Sequence, residues 1–377
     1  MVRSKPTDRE LEERYQSGTL RLSQEKNDFL LPQVLEFISS KNWINLHPEY
    51  QRRLVWDRKK RSLFIESLLM NIPIPPIFLL EWEYSRYEVM DGQQRLSTIA
   101  EFYENRFKLS GLEKWPELNG RTYADCPPII QRGLDRRRIS AVVLLAENLG
   151  TTDNKIDVRR MVFERLNTGG QNLNAQELRN CVYAGKFSEL LIELAGYDIF
   201  DDLWEIPRYR DHIRGLHVSS VLASNSLFKR MRDCEIVLRF FAFRKKSNIR
   251  GSVRSILDRT MNEYKDAKET QINELRELFT TRIDLCNEIF GSKAFRITDE
   301  KGNLHVSQPL YDATMIAIDR TFDEKAMLIK SRKHIVDALR AATTKTDNYE
   351  LIVARPNTAD SIRQRLDFVE SILRGCL

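Results

Sequence analysis

The sequence predicts an α+β protein: a mixed α/β head over residues 1–150 followed by an all-helical domain over residues 151–377. Two observations carry that prediction. Apolar and β-branched runs that suit strands (WINL, PIPPIFLLEW, YEVMD and RISAVVLL) all fall before residue 150. Beyond Asp153 such runs nearly vanish, and apolar residues recur at helical spacing instead. A chain of 377 residues suits about two domains, and 42% hydrophobic residues are enough to fill their cores.

Each element has a local reason. The first twenty residues are polar, and Thr7 with Glu10 has the spacing of a capping box for a short helix. Pro32 suits the first turn of a helix reaching Ser40. Asp57 is placed to cap a helix through Asn71, whose Leu63, Phe64, Leu68 and Leu69 share one face. YEVMD then runs through Gly92 into a helix with Leu96, Ile99, Phe102 and Tyr103 at helical spacing, ending near Asn105. In the second half, helices are expected over DVRRMVFERLN, AQELRNCVYAG, Ser219–Arg244, Val253–Ile289, Pro309–Phe322, Glu324–Ala342 and Thr358–Leu373. FRITDEKGNLHVSQ reads as a small hairpin or loop turning at Lys301-Gly302-Asn303.

Composition excludes several classes. No apolar run nears the ~20 residues that span a bilayer, and MVRSKPTDRELEER has no export signal, so a cytosolic protein without a membrane partner is expected. Five scattered cysteines and five dispersed histidines build neither a zinc site nor a disulfide framework, so no structural metal is expected. A net charge of +6 permits contact with polyanions but is too mild to require it.

One junction carries chemistry. In VMDGQQRLSTIAEF a strand meets a glycine and then an amphipathic helix, whose N-terminal N–H groups and dipole favour an anion. Gly92 would let a ligand approach the backbone, and Arg95 could place its guanidinium on phosphate oxygens. Gln93 and Gln94 offer amides to phosphate, sugar or base. Asp91 could hold Mg²⁺ through water or orient an attacking water. Asp91, Gln94 and Arg95 are thus the candidate catalytic residues. A structural reading stands beside this one: Asp91 as an ordinary N-cap, Gln94 completing a capping box, and Arg95 paired with an acidic neighbour.

Four ordered blocks resemble the GmrSD restriction endonuclease N-terminal family. They are Pro48–Trp56 with the helix and loop Ile65–Ile77, the Asp91-Gly92-Gln93-Gln94-Arg95 segment, Phe163–Asn180, and Arg230–Phe240. The resemblance implies a head related to the ParB and sulfiredoxin fold, and a role in prokaryotic restriction or anti-phage defence. It also implies binding of a nucleoside triphosphate, possible with Mg²⁺, that some members of the family hydrolyse. By position it carries over Tyr50, Gln51 and Arg52, the Asp91–Arg95 segment, and Arg165, Asn167, Gly169, Gly170 and Gln171 as nucleotide contacts. For the Phe163–Asn180 block a packing role remains open, since Asn174 with Glu177 forms another capping box and Arg179 could pair with Glu177 on a helix surface. Full-length restriction members usually add an HNH nuclease block. His212, His217, His305 and His334 stand in no such context, so a separate nuclease or effector partner is expected.

Two basic stretches are candidate nucleic-acid contacts: Arg136, Arg137 and Arg138, and Arg244, Lys245 and Lys246. The second follows Phe240, Phe241 and Phe243, which either stack on bases or belong to a core. Two further functions compete with nucleotide hydrolysis: a non-catalytic module that binds modified DNA, and a scaffold without chemistry.

Overall fold

The computed structural model describes residues 6–16, 23–46, 56–145, 161–162, 174–214, 217–298, 304–343, 346–354 and 357–377. They fall into two compact units, one holding the described residues up to 162 and the other those from 174 onward. The protein is α+β, a small mixed sheet with helices in the first unit and a helical second unit.

In chain order the first unit comprises α1 (Asp8–Gln16), β1 (Ser23–Leu30), α2 (Leu31–Leu35), β2 (Ile44–Asn45), α3 (Arg58–Leu69), β3 (Ile77–Glu83), β4 (Arg86–Asp91), α4 (Gln93–Tyr103), α5 (Pro128–Asp135) and β5 (Arg138–Leu145). The five strands are ordered β1-β5-β3-β4-β2. β1 and β5 are antiparallel, β5 and β3 parallel, β3 and β4 antiparallel, and β4 and β2 parallel. Alternate residues Ile77 and Leu79 of β3, and Ile139, Ala141 and Val143 of β5, enter one core on one face of the sheet. Leu31 and Val34 of α2, Phe64, Ile65 and Leu68 of α3, and Leu96, Ile99 and Phe102 of α4 fill that core.

The expected caps are present. Thr7 and Glu10 exchange hydrogen bonds ahead of α1, and Asp57 Oδ1 accepts from Lys60 N at 2.8 Å at the start of α3. Two elements of the first unit escaped the sequence reading, as did the helices Lys186–Leu194, Asp198–Trp204 and Tyr209–His212 and the strand pair Ile213–Arg214 with His217–Val218 of the second. β1 has the polar sequence SQEKNDFL because it is an edge strand, mostly exposed along its length. α5 is only eight residues long and begins on Pro128, too short for its Ile130 and Leu134 to establish a helical repeat.

Within the second unit, the expected Ser219–Arg244 helix is three helices, Ser220–Ser224, Ser226–Lys229 and Arg232–Arg244. Asn225 caps the second by accepting from Leu227 N and Phe228 N, and Met231 takes a left-handed conformation at φ 51°. The expected Val253–Ile289 helix is likewise two, Val253–Glu263 and Glu269–Phe290. No proline or glycine marks that break. Tyr264 is instead turned into the core against Phe187, with ring centroids 4.7 Å apart, and packing overrides helix continuity. Arg296–Thr298 and Leu304–Val306 pair antiparallel as the expected hairpin, whose turn lies outside the described residues.

Candidate functional site

β4 ends at Asp91 and α4 begins at Gln93, so the whole turn between them is Gly92. Gly92 sits at φ 101° and ψ 6°, a left-handed conformation that disfavours a side chain. A Cβ placed there would lie 2.4 Å from Ile77 Cγ2. The space expected for a ligand beside the glycine is therefore filled by the Ile77 side chain, and packing is what demands a residue without one. Gly92 is also the N-cap itself, which corrects the reading of Asp91 as N-cap with Gln94 closing a capping box. Because a glycine caps α4, no capping side chain accepts from the N–H groups of its first turn among the described residues.

The side chains of the motif fan out to different partners. Arg95 Nη2 pairs with Asp91 Oδ2 at 2.7 Å, while Nη1 donates to the carbonyl oxygens of Pro75 and Pro76. Its side chain is 11% exposed and that of Asp91 58%. Burial pulls the Arg95 guanidinium below its ordinary value, and the Asp91 carboxylate partly restores it. Among the described residues these acceptors meet three of its five N–H groups, leaving Nε and one Nη2 proton. Gln93 Nε2 donates to Leu46 O at 2.9 Å, just after β2. Gln94 Oε1 accepts from Trp56 N at 3.1 Å, just before α3. The two glutamines thereby bond to Leu46 and Trp56, the described residues on either side of positions 47–55. That segment contains Tyr50, Gln51 and Arg52, which lie outside the described residues, as do Arg165, Asn167, Gly169, Gly170 and Gln171.

The rest of the Phe163–Asn180 block is structural where it is described. Asn174 and Glu177 form the expected capping box of the Ala175–Val182 helix. Glu177 and Arg179 do not pair on a surface, however; both are buried. Arg179 contacts Asp258 Oδ1 at 2.8 Å and Glu235 Oε2 at 3.1 Å, and Glu177 faces Arg230 at 3.3 Å. Buried arginine has five donors to satisfy, and these carboxylates lock the helix against Arg232–Arg244 and Val253–Glu263.

The basic stretches divide in the same way. Arg136 and Arg138 are exposed, whereas Arg137 turns inward and donates to Leu69 O at the end of α3, at 2.9 Å. In the second stretch each cation meets a carboxylate: Arg244 with Asp319, Lys245 with Glu263, and Lys246 with Asp367. Phe240, Phe241 and Phe243 are buried at 0%, 4% and 0% exposure, so the stacking on bases held open for them is corrected to a core role. One feature went unseen in the sequence reading: Arg58-Lys59-Lys60, all exposed, opens α3 beside the motif. Its signal was four successive cations directly after the capping Asp57.

Asp91 offers a single carboxylate, and no group of three or more His, Cys, Asp or Glu that could hold a metal occurs among the described residues. No helix among them is long and apolar enough to cross a membrane. Residues 34–184 match the family model described as the GmrSD restriction endonuclease, N-terminal domain. No curated protein and no solved structure matches the chain.

Proposed function

The chain carries an N-terminal domain of the GmrSD restriction endonuclease family, and from that premise we propose that it is a nucleotide-binding sensor of a restriction or anti-phage system. The domain ties the chain to restriction; nucleotide binding, hydrolysis of the triphosphate and a separate nuclease or effector partner are the proposal. The observation that carries it is the start of α4. A glycine-capped helix end, free of any capping side chain, stands beside an exposed carboxylate and a half-committed guanidinium.

The roles follow from the hydrogen bonds. The first-turn N–H groups of α4 and the remaining Arg95 protons would receive phosphate oxygens. Asp91 holds Arg95 in place and presents its other oxygen outward. A nucleotide-borne Mg²⁺, which commonly takes one or two protein carboxylates beside phosphate oxygens, would find one in Asp91 and would neutralise phosphate charge there. Gln93 and Gln94 act as positioning residues, since their amides are bonded to Leu46 and Trp56. Non-catalytic binding of modified DNA is the competing reading, supported by the cations that open α3.

Phosphate release from ATP, GTP, CTP and UTP, with and without DNA, tests the proposal beside two variants. Arg95→Ala is expected to lose nucleotide binding but also stability, because the Pro75 and Pro76 carbonyls lose their donor. Asp91→Asn keeps the shape of a mostly exposed side chain and is expected to fold normally while turnover falls about tenfold or more. Unchanged binding and turnover in both variants would remove the site from the start of α4. Nucleotide-independent DNA binding with no turnover would establish the competing reading.

A further inference from the structure

We propose that Arg58, Lys59 and Lys60, at the first turn of α3, form a contact surface for the phosphodiester backbone of a nucleic acid passing the start of α4. The proposal shares contact with DNA with the competing reading above, and it does not depend on nucleotide binding.

Three observations converge on it. First, the charges are on the wrong end of their helix. A helix N-terminus carries partial positive charge and favours Asp or Glu in its first turn. Here the first turn has no acidic residue and three successive cations, all exposed. Some helices follow the rule, as α1 does with Asp8 and Glu10 and the Arg232–Arg244 helix with Asp233 and Glu235, while Arg332–Thr343 also opens on cations.

Second, two helix starts lie together. Trp56, which precedes α3, bonds its N–H to Gln94 in the first turn of α4, and further along Arg61 pairs with Glu101. The helices therefore run side by side in the same direction, and their positive ends add at one place. Asp57 and Asp91 leave two of the four cations Arg58, Lys59, Lys60 and Arg95 uncompensated. None of the first three has a carboxylate partner among the described residues.

Third, two of these exposed residues have their side chains settled against neighbours. Lys60 Nζ lies 5.1 Å from the centre of the Trp56 ring, and the Lys59 stem runs past Gly111. Apart from the Lys60–Trp56 contact, no carboxylate among the described residues answers these charges, which leaves them for an anionic partner. Successive residues of one turn point around the helix end, so they suit a backbone of regularly spaced charges crossing both helix starts. The shared chemistry is the phosphate backbone, and contact with it carries no base preference.

The test uses the full chain and its Lys59→Gln/Lys60→Gln variant in titrations of a duplex and a single strand at 50 and 200 mM salt. Each phosphate contact on duplex DNA contributes about 0.9 to the slope of log affinity against log salt. Losing two contacts lowers the slope by about 1.8, so the fourfold rise in salt should cost the variant about twelvefold less affinity than the wild type. The loss should be equal for unrelated sequences, and a larger effect on one probe tells duplex from single strand. Thermal melting of the variant should be no lower than that of the wild type, because cations leave a helix N-terminus. Nucleotide binding should be unchanged; if the wild type binds no nucleotide but the salt slope still falls, this surface stands and the nucleotide proposal does not. An unchanged slope overturns the surface, as does absence of nucleic-acid binding by the wild type at 50 mM salt. Binding to anionic vesicles but to neither nucleic acid overturns it in favour of a membrane.

Discussion

Replacing Gly92 by alanine tests whether packing or ligand access explains this glycine. The new methyl would sit 2.4 Å from Ile77 Cγ2, on a backbone held at φ 101°. Left-handed backbone costs a residue with a side chain about 1–2 kcal/mol, and overpacking a filled core costs about 1–3 kcal/mol. Gly92→Ala should therefore destabilise the first unit by about 2–5 kcal/mol. Ile77, fully buried, gives the partner half of a double-mutant cycle: Ile77→Ala alone should cost about 2–5 kcal/mol for the cavity it leaves. It also removes the clashing Cγ2, leaving Cβ at 3.0 Å as the nearest atom. The double variant should then be more stable than the sum of the singles by about 1–3 kcal/mol, the overpacking share alone. Urea titration followed by tryptophan fluorescence reads this unit, since Trp43, Trp56, Trp82 and Trp115 precede residue 150 and only Trp204 follows it. Strict additivity, or a Gly92→Ala variant as stable as the wild type, would refute the packing argument and return the glycine to ligand access.

Two further outcomes can be checked on the same material. Burial alone would raise the Glu66 carboxyl, but the N–H groups of Trp115, Lys114 and Glu113 and the Lys114 charge hold it below its ordinary value. Its stabilisation is thus complete above the unfolded carboxyl value of about 4.3, and disappears as pH falls through the lower folded value. Glu66→Gln should cost about 1.5–3 kcal/mol near pH 7, with the gap closing between pH 5 and pH 2 in urea titrations; a pH-independent gap would show that the charge is not what matters. In the second unit, Arg239 and Asp312 are both buried and paired through two nitrogens. Arg239→Met should cost about 3–5 kcal/mol by stranding the carboxylate, and adding Asp312→Leu should recover most of it; calorimetry of the single and double variants decides.

Much of the first unit is legible because its signals are local. Asp57 three residues before Lys60, Thr7 three before Glu10, and the alternation in RISAVVLL each specify an element within a few residues. β1 was illegible for a physical reason: an edge strand presents polar side chains to water, and its evidence is a ladder with β5 more than a hundred residues away. The break between Val253–Glu263 and Glu269–Phe290 was illegible too, because Tyr264 packs against Phe187 in an aromatic contact that no local pattern announces.

The sequence alone determined that a strand meets a helix through one glycine at position 92, flanked by an acid, two amides and an arginine. Secondary structure there depends on propensity and spacing within one turn, which a sequence displays directly. Only the tertiary structure decided what each of those groups touches. Arg95 reaches Pro75 twenty residues back, Gln94 reaches Trp56 across thirty-eight and Gln93 reaches Leu46 across forty-seven. The same holds for Phe240 and Phe243, whose place in a core rather than on a surface follows from helices that fold back on them. Side-chain type fixes what bonds a residue can make, whereas long-range packing fixes which of those bonds the folded chain spends on itself and which it leaves for a partner.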